Sequence, residues 1–296
     1  MDFYTELCQI MSYDAGGRGL HGPVPNLRGL GEALLKARSV LILTGFPVLP
    51  EGEDSVPVGE TDGPVGTAEL ARGLELLGCR VTVAVDAPAF PMARAALRAA
   101  GAAARLVLFP NTGCADFGES LLDSARPEAV IALERPGKGA DGHFHSMKGR
   151  VIDAGAADTD CVFASARRRG ILTVGIGDGG NELGMGTLRR MTERFVDHGS
   201  QIATVLPADY TLTAGVSNWW GNGLTALLSY ESGEPLLITQ AGERSILQAV
   251  VDAGGVDGRT GRRTLSVDGL PLAVHLERLA ALERLIKDCG ETRRFA

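Results

Sequence analysis

The 296-residue sequence predicts an α/β fold in which a mainly parallel sheet is covered by helices on both faces. Two observations lead there. Short runs rich in β-branched residues alternate with longer stretches rich in Ala and Leu, the pattern of parallel strands joined by crossover helices. Those short runs are also apolar along their whole length, which suits strands buried on both sides. With 45% hydrophobic residues the chain can fill a sizeable core, and residues 1–296 read as one α/β domain.

The elements follow in order. A helix over residues 27–37 precedes a first strand at 40–43. A helix at 67–77, with Leu70, Leu74 and Leu77 at helical spacing, leads to a strand at 80–85. Helix 91–100, strand 106–109, helix 118–125 and strand 129–133 continue the alternation. Helix 157–169 and strand 172–176 complete it, and the remainder is richer in helix, at 219–230, 245–253 and 272–287. The expected architecture is a Rossmann-like three-layer sandwich with additional C-terminal helices. In open α/β sheets ligands bind beyond the carboxyl ends of the strands, so the informative residues are those that follow each strand. These are Thr44 to Phe46, Asp86, Asn111 and Thr112, then Glu134, Arg135 and Lys138, and finally Asp178 to Glu182.

Charge and composition exclude several functions. A net charge of -7 leaves no clustered Lys and Arg for a nucleic-acid backbone. The dense basic runs, Arg167 to Arg169 and Arg262-Arg263, are short. Five scattered cysteines form no CxxC pair, so neither a zinc knuckle nor a disulfide framework is indicated, and a reducing cytoplasm is the expected location. No run of 18 apolar residues suggests a membrane span, and the first residues, MDFYTELCQI, lack a basic stretch before an apolar one.

Three loops carry chemistry. The segment "FPVLPEGEDSVPVGETDGPVGTAEL" exceeds the usual βα connection of about 2 to 6 residues and gathers Glu51, Glu53, Asp54, Glu60 and Asp62. Glu60 and Asp62 in an extended stretch point to one side, as ligands of a hard cation do; alternatively Asp62 caps the helix that follows. The segment "ERPGKGADGHFHSMKGRVID" mixes Glu134, Arg135, Lys138, Asp141, His143, His145, Lys148, Arg150 and Asp153 without a hydrophobic period. It reads either as a surface excursion or as a lid over an anionic substrate. The segment "GIGDGGNELGMG" has Gly175, Gly177 and Gly180 at the spacing of a dinucleotide-binding turn, yet Asp178 would repel a phosphate there, and the loop follows the fifth strand rather than the first. With a divalent cation, Asp178 and Glu182 make sense as oxygen ligands; otherwise Asp178 and Asn181 cap a following helix. A fourth segment, "AGVSNWWGNGL", reads as a packed helix start or a pocket wall bearing Asn218 and Asn222, with one of Trp219 and Trp220 in the core.

Taken together, "ETDGPVGTAEL", "ERPGKGADGHFHSMKGR" and "GIGDGGNELGMG" resemble the motifs of the D-glutamate cyclase C-terminal domain family, over about residues 40–228. Eukaryotic members resemble a fusion in which another domain precedes this one, and the chain is expected to be the stand-alone form. The resemblance implies conversion of D-glutamate, or a related small acidic amino acid, to 5-oxo-D-proline plus water by a lyase assisted by Mg²⁺ or Mn²⁺. On this reading Asp62, Asp178 and Glu182 are the first candidate metal ligands, with Glu134 and Asp141 in reserve and Glu60 as a base. Arg135 and Lys138 grip substrate carboxylates, Asn218 lines the substrate pocket and His143 is the acid. A two-metal phosphate-ester hydrolase and a non-catalytic metabolite-binding module are the alternatives. The expected partners are a small acidic metabolite and, at most, a second copy in a homodimer, with no nucleic acid or membrane.

Overall fold

The computed structural model describes residues 2–14, 17–20, 22–23, 25–50 and 56–294; Glu51, Glu53 and Asp54 of the long acidic loop lie outside the described residues. Helices α1 (Phe3–Met11) and α2 (Leu27–Lys36) precede strand β1 (Ser39–Thr44), and a small hairpin of β2 (Pro47–Val48) and β3 (Val58–Gly59) leads to α3 (Pro64–Leu76). Next come β4 (Arg80–Val85), α4 (Phe90–Ala100), β5 (Arg105–Leu108), α5 (Cys114–Ala125) and β6 (Ala129–Leu133). After α6 (Asp160–Arg168) and β7 (Leu172–Gly177) lie a 3₁₀ turn at Gly186–Leu188, α7 (Arg189–Phe195), α8 (Gly199–Ile202) and β8 (Tyr210–Thr213). Then follow α9 (Asn218–Ser232), α10 (Gln240–Asp252), the hairpin of β9 (Ser266–Val267) and β10 (Leu270–Pro271), and α11 (Leu272–Arg294).

The main sheet has the order β5-β4-β1-β6-β7-β8 and every pairing in it is parallel. Alternate residues of each strand face opposite helical layers. Val40 and Ile42 of β1 and Ala129 and Ile131 of β6 pack toward α1 to α4 and α9 to α11, while Leu41, Leu43 and Val130 pack toward α5 and α6. The result is the three-layer α/β sandwich that the alternation of elements predicts. Successive strands are added on one side of β1 as far as β5, and then the chain crosses back to begin the other side with β6. A crevice opens at such a reversal. The register pairs Thr44 with Leu133 and Leu133 with Ile176, so Gly45, Glu134 and Gly177 occupy the next row at its mouth.

The structure departs from the sequence reading at identifiable places. β8 was not expected: its Tyr-Thr-Leu-Thr run buries Leu212 alone, as a polar edge strand does. α1 was also missed, although Phe3, Leu7 and Met11 form a buried stripe at helical spacing and Asp2 caps it by accepting from Thr5 N. α3 starts at Pro64, whose fixed φ suits the first helical turn. Trp219 and Trp220 are both buried, their indole N–H groups donating to His275 Nδ1 at 3.0 Å and to the Thr213 carbonyl at 2.9 Å.

Helices α3 and α9 cross in very close contact. A Cβ on Gly66 would meet the Asn218 backbone at 2.6 Å, and one on Gly221 would collide with Gly66 itself. Behind this crossing, Glu69 of α3 and Glu243 of α10 are both buried, and Asn222 Nδ2 donates to Glu243 Oε2 at 3.0 Å. Burial, and then Glu243 beside it, push the Glu69 carboxyl well above the ordinary carboxylate range. Its contribution is therefore complete below the unfolded value near 4.5 and is lost as pH rises toward the folded value, at about 1.4 kcal/mol per pH unit between the two. Glu69→Gln keeps the neutral form at every pH. In urea titrations this variant should be more stable than the parent protein at pH 8, with the difference closing toward pH 4.

Candidate functional site

Three carboxylates from three different strand ends meet at the crevice. Asp62, Glu134 and Asp178 are all buried, and one oxygen from each lies within 4.8 Å of the others. Asp62 follows the β2–β3 hairpin, Glu134 follows β6 and Asp178 follows β7. Asp62 does not cap α3, the helix next to it in sequence. Its Oδ1 accepts from Asn218 N at 2.7 Å and its Oδ2 from Ser217 N at 3.0 Å, so it caps α9 and sits at the positive end of that helix. Asn218 returns the favour in space: its Oδ1 accepts from Gly63 N and Gly66 N, each at 2.8 Å, and so caps α3. Glu134 has a left-handed backbone with φ of 44°, an uncommon conformation for a residue with a side chain, and Ser217 Oγ donates to its Oε2.

The loop "GIGDGGNELGMG" explains itself once its hydrogen bonds are traced. Glu182 Oε1 accepts from Asp178 N at 3.2 Å and Gly179 N at 2.7 Å, and Oε2 accepts from Gly180 N at 2.7 Å. The successive N–H groups form the kind of nest that holds a phosphate, and the chain's own carboxylate fills it. Gly177 is required because a Cβ there would collide with the Glu182 carboxylate. Both Glu182 oxygens are thus committed to the loop, and the trio consists of Asp62, Glu134 and Asp178. Asp178 and Asn181 cap no helix, since a 3₁₀ turn begins only at Gly186. Asp178 Oδ2 is buried without a hydrogen-bond partner, and Asn181 Oδ1 is too.

Further acids surround the trio. Glu60 and Asp268 are buried beside it, and they line, with Glu134, Asp178 and Glu182, a cleft of about 660 Å³. Lys148, Arg150 and Arg259 line the same cleft. Burial, with the negative charge of Asp268 second, raises Asp62 to about 8. Burial also raises Glu60, aided by Asp268 and Asp62, and Glu134, aided by Glu182, Asp62 and Glu60. Burial therefore favours the protonated form of each of these groups, and a cation among them works in the opposite direction. The trio offers hard oxygen donors alone, one of them unpartnered, and this donor set fits an oxygen-seeking divalent cation.

Two members of the site were not found from sequence. Asp268 is the first residue of an Asp-Gly turn between β9 and β10, with φ of 53° there and 77° at Gly269, and the pair is the hairpin signal that the sequence carried. Arg18, on the segment between α1 and α2, reaches in to pair with Asp178 and, through Nη2 at 3.0 Å, with Asp268. A lone arginine in "DAGGRG" carries no such signal.

The family model for the D-glutamate cyclase-like C-terminal region matches residues 7–283. The chain belongs to this family. It is 33% identical over 237 residues to the human protein named D-glutamate cyclase, mitochondrial; the match covers 75% of this chain and 38% of the human protein. In this D-glutamate cyclase-like chain the four quoted loops contribute unequally to the site. Arg135, next to Glu134, is fully buried elsewhere: Nη1 pairs with Asp86 Oδ2, Nε donates to Thr159 Oγ1 at 2.9 Å and Nη2 donates to the Ala157 carbonyl. α6 begins only at Asp160, after this contact. Lys138 pairs with Asp158 in a separate open groove. His143 and Asp153 pair on the surface, where the Asp153 hydrogen bond raises the imidazole pKa, and Asp141 is exposed and accepts from His145 Nε2 at 2.9 Å. None of these four reaches the trio, and Asn218 serves as a cap. The loop they belong to is an ordered structure, pinned where Phe144 and Ile152 pack on Phe46 and Ala156.

A residue that holds a buried partner and a residue that grips substrate behave differently on removal. Arg135→Met leaves Asp86 buried without its cation and should cost about 3–5 kcal/mol of stability in chemical denaturation. A substrate clamp would show instead as a raised KM in a protein of unchanged stability.

Proposed function

We propose that this chain cyclises D-glutamate, or a related small acidic amino acid, to 5-oxo-D-proline and water, as a lyase assisted by Mg²⁺ or Mn²⁺. One observation carries the reading: three buried carboxylate oxygens of separate loops converge at the sheet's reversal point, with Asp178 Oδ2 unpartnered. The family membership and the name of the human relative supply the reaction class. The human protein is much longer than the matched region, and for this chain the activity is inferred.

In the reaction the amine nitrogen bonds to the γ-carboxyl carbon, one γ-oxygen departs, and two protons of the ammonium group leave with it as water. Amine and acid share one molecule, so a cleft that holds the chain folded converts the attack into a well-oriented intramolecular step. The bound cation, held by Asp62, Glu134 and Asp178, would supply polarisation of the γ-carboxyl and neutralise its charge. Glu60, beside the trio and raised well above the carboxylate range, is suited to carry a proton to the departing oxygen. Lys148, Arg150 and Arg259 give the cleft its cations for the substrate's carboxylates, the role that Arg135 and Lys138 were expected to fill. The phosphate-ester alternative would use the same carboxylates, with the cations of the cleft on a phosphate, and the products formed separate the two readings. The five thiols, all free, agree with a reducing compartment such as the cytoplasm.

The test is direct. With D-glutamate and Mn²⁺, the purified protein should form 5-oxoproline and release no phosphate from phosphate monoesters. Asp178→Asn should lower kcat by at least about a hundredfold, the scale of a lost electrostatic contact at a reacting centre, and should abolish calorimetric Mn²⁺ binding. Turnover that survives Asp178→Asn and exhaustive chelation would remove the trio from the reaction.

A further inference from the structure

Arg18 is the unexpected occupant of the site. Its side chain is 19% exposed, yet its guanidinium reaches the carboxylates of Asp178 and Asp268. Burial works against its charge, but the surrounding acids, Asp268 first and then Glu134, Glu182 and Asp62, outweigh it and hold the group firmly protonated. Among the described residues, the ion pairs made to this acidic cluster all come from Arg18.

The segment that delivers it is built for the purpose. Asp14 Oδ1 accepts from Arg18 N at 3.1 Å and Asp14 Oδ2 from Gly19 N at 2.9 Å, so a side chain four residues back fixes the backbone from which the guanidinium reaches inward. Beyond it Leu20 packs with Met185, Leu188, Val196 and Ile202, and Gly22 N donates to Thr213 Oγ1 at 3.1 Å. The anchor lies on either side of Arg18, while Arg18 itself touches the cluster through its charged tip.

Asp178 is claimed twice. It is one of the three carboxylates that converge for a cation, and it is the carboxylate that Arg18 Nη1 meets. A guanidinium and a divalent ion on the same carboxylate repel each other at a few ångströms in a poorly screened interior, and the arginine is the one on a tether that can swing away. We propose that Arg18 is a tethered counter-ion of the acidic site, exchanged for a divalent cation when the cation takes Asp178. This rests on the metal-site reading of the trio. With no cation bound, Arg18 neutralises carboxylates that would otherwise repel one another. With the cation in place, Arg18 leaves Asp178, and the hydrogen bonds from Arg18 N and Gly19 N to Asp14 loosen.

Mn²⁺ titration by calorimetry at neutral pH tests the exchange, using the parent protein, Arg18→Ala, Arg18→Lys and the Asp178→Asn control. Removing the competitor should tighten Mn²⁺ binding about tenfold or more in Arg18→Ala, equivalent to about 1.4 kcal/mol, and lower the melting temperature of the metal-free protein. Arg18→Lys keeps the charge but loses the two-pronged grip, and should bind with an affinity between the two, so the comparison stands even where Arg18→Ala fails to fold. In the parent protein, amide exchange at residues 17–20 should quicken on addition of Mn²⁺. Binding that Asp178→Asn abolishes but that is unchanged or weaker in the Arg18 variants would overturn the exchange and leave the metal site standing. Absence of Mn²⁺ binding in the parent and in both variants would overturn both.

Discussion

The crossing of α3 and α9 is the constraint on which the site depends. Two glycines, Gly66 and Gly221, let the helix backbones touch, and at the contact each helix start is capped by the other's neighbour: Asp62 by way of Ser217 and Asn218, Asn218 by way of Gly63 and Gly66. Each cap is worth about 0.5–2 kcal/mol, but their coupling matters more than their sum. Asp62 can satisfy α9 only while α3 lies against it. The same start of α9 presents the Ser217 hydroxyl to Glu134, so the crossing positions two of the three converging carboxylates at once. The sheet contributes the third by register, since pairing of Leu133 with Ile176 sets Asp178 one residue beyond Glu134's row.

Concentrating acids in this way works against folding, and the structure shows what offsets it. The N-terminus of α9 lends partial positive charge to Asp62, three loop amides surround Glu182, and Arg18 meets Asp178 and Asp268. These contacts offset the repulsion only in part, which is why burial still holds Asp62, Glu60 and Glu134 above the range of ordinary carboxylates. A site in this condition has a strong affinity for positive charge before any substrate arrives, and stability has been exchanged for that readiness.

Much of the framework was legible because it obeys local rules. The four inner strands and the edge strand β5 announce themselves as short apolar runs, and the rule that ligands gather at strand ends directs attention to Glu134 and Asp178 without any knowledge of the fold. Asp62 was found by its acidity and its loop. What failed to show was direction. Glu134 and Arg135 are neighbours, yet the left-handed backbone at Glu134 sends one into the crevice and the other to Asp86, a buried partner that no spacing rule reveals. His143, Lys138 and Asp141 have the right chemistry and the wrong side of their loop. Glu182 looked like a ligand because its hydrogen-bond partners are backbone amides, which every residue has. β8 was hidden by its polar alternation, and Arg18 and Asp268 come from opposite ends of the chain, joined only by tertiary packing.

The carboxylate of Glu182 in its nest of amides has a consequence for the company the protein keeps. Sheets wound in this order present amides at a strand end, and nucleotides and sugar phosphates are abundant wherever metabolism runs. Here that vacancy is filled from within, by a group that cannot diffuse away and whose effective concentration no free anion can match. Those amides are therefore closed to a free anion, while the cleft beside them stays open.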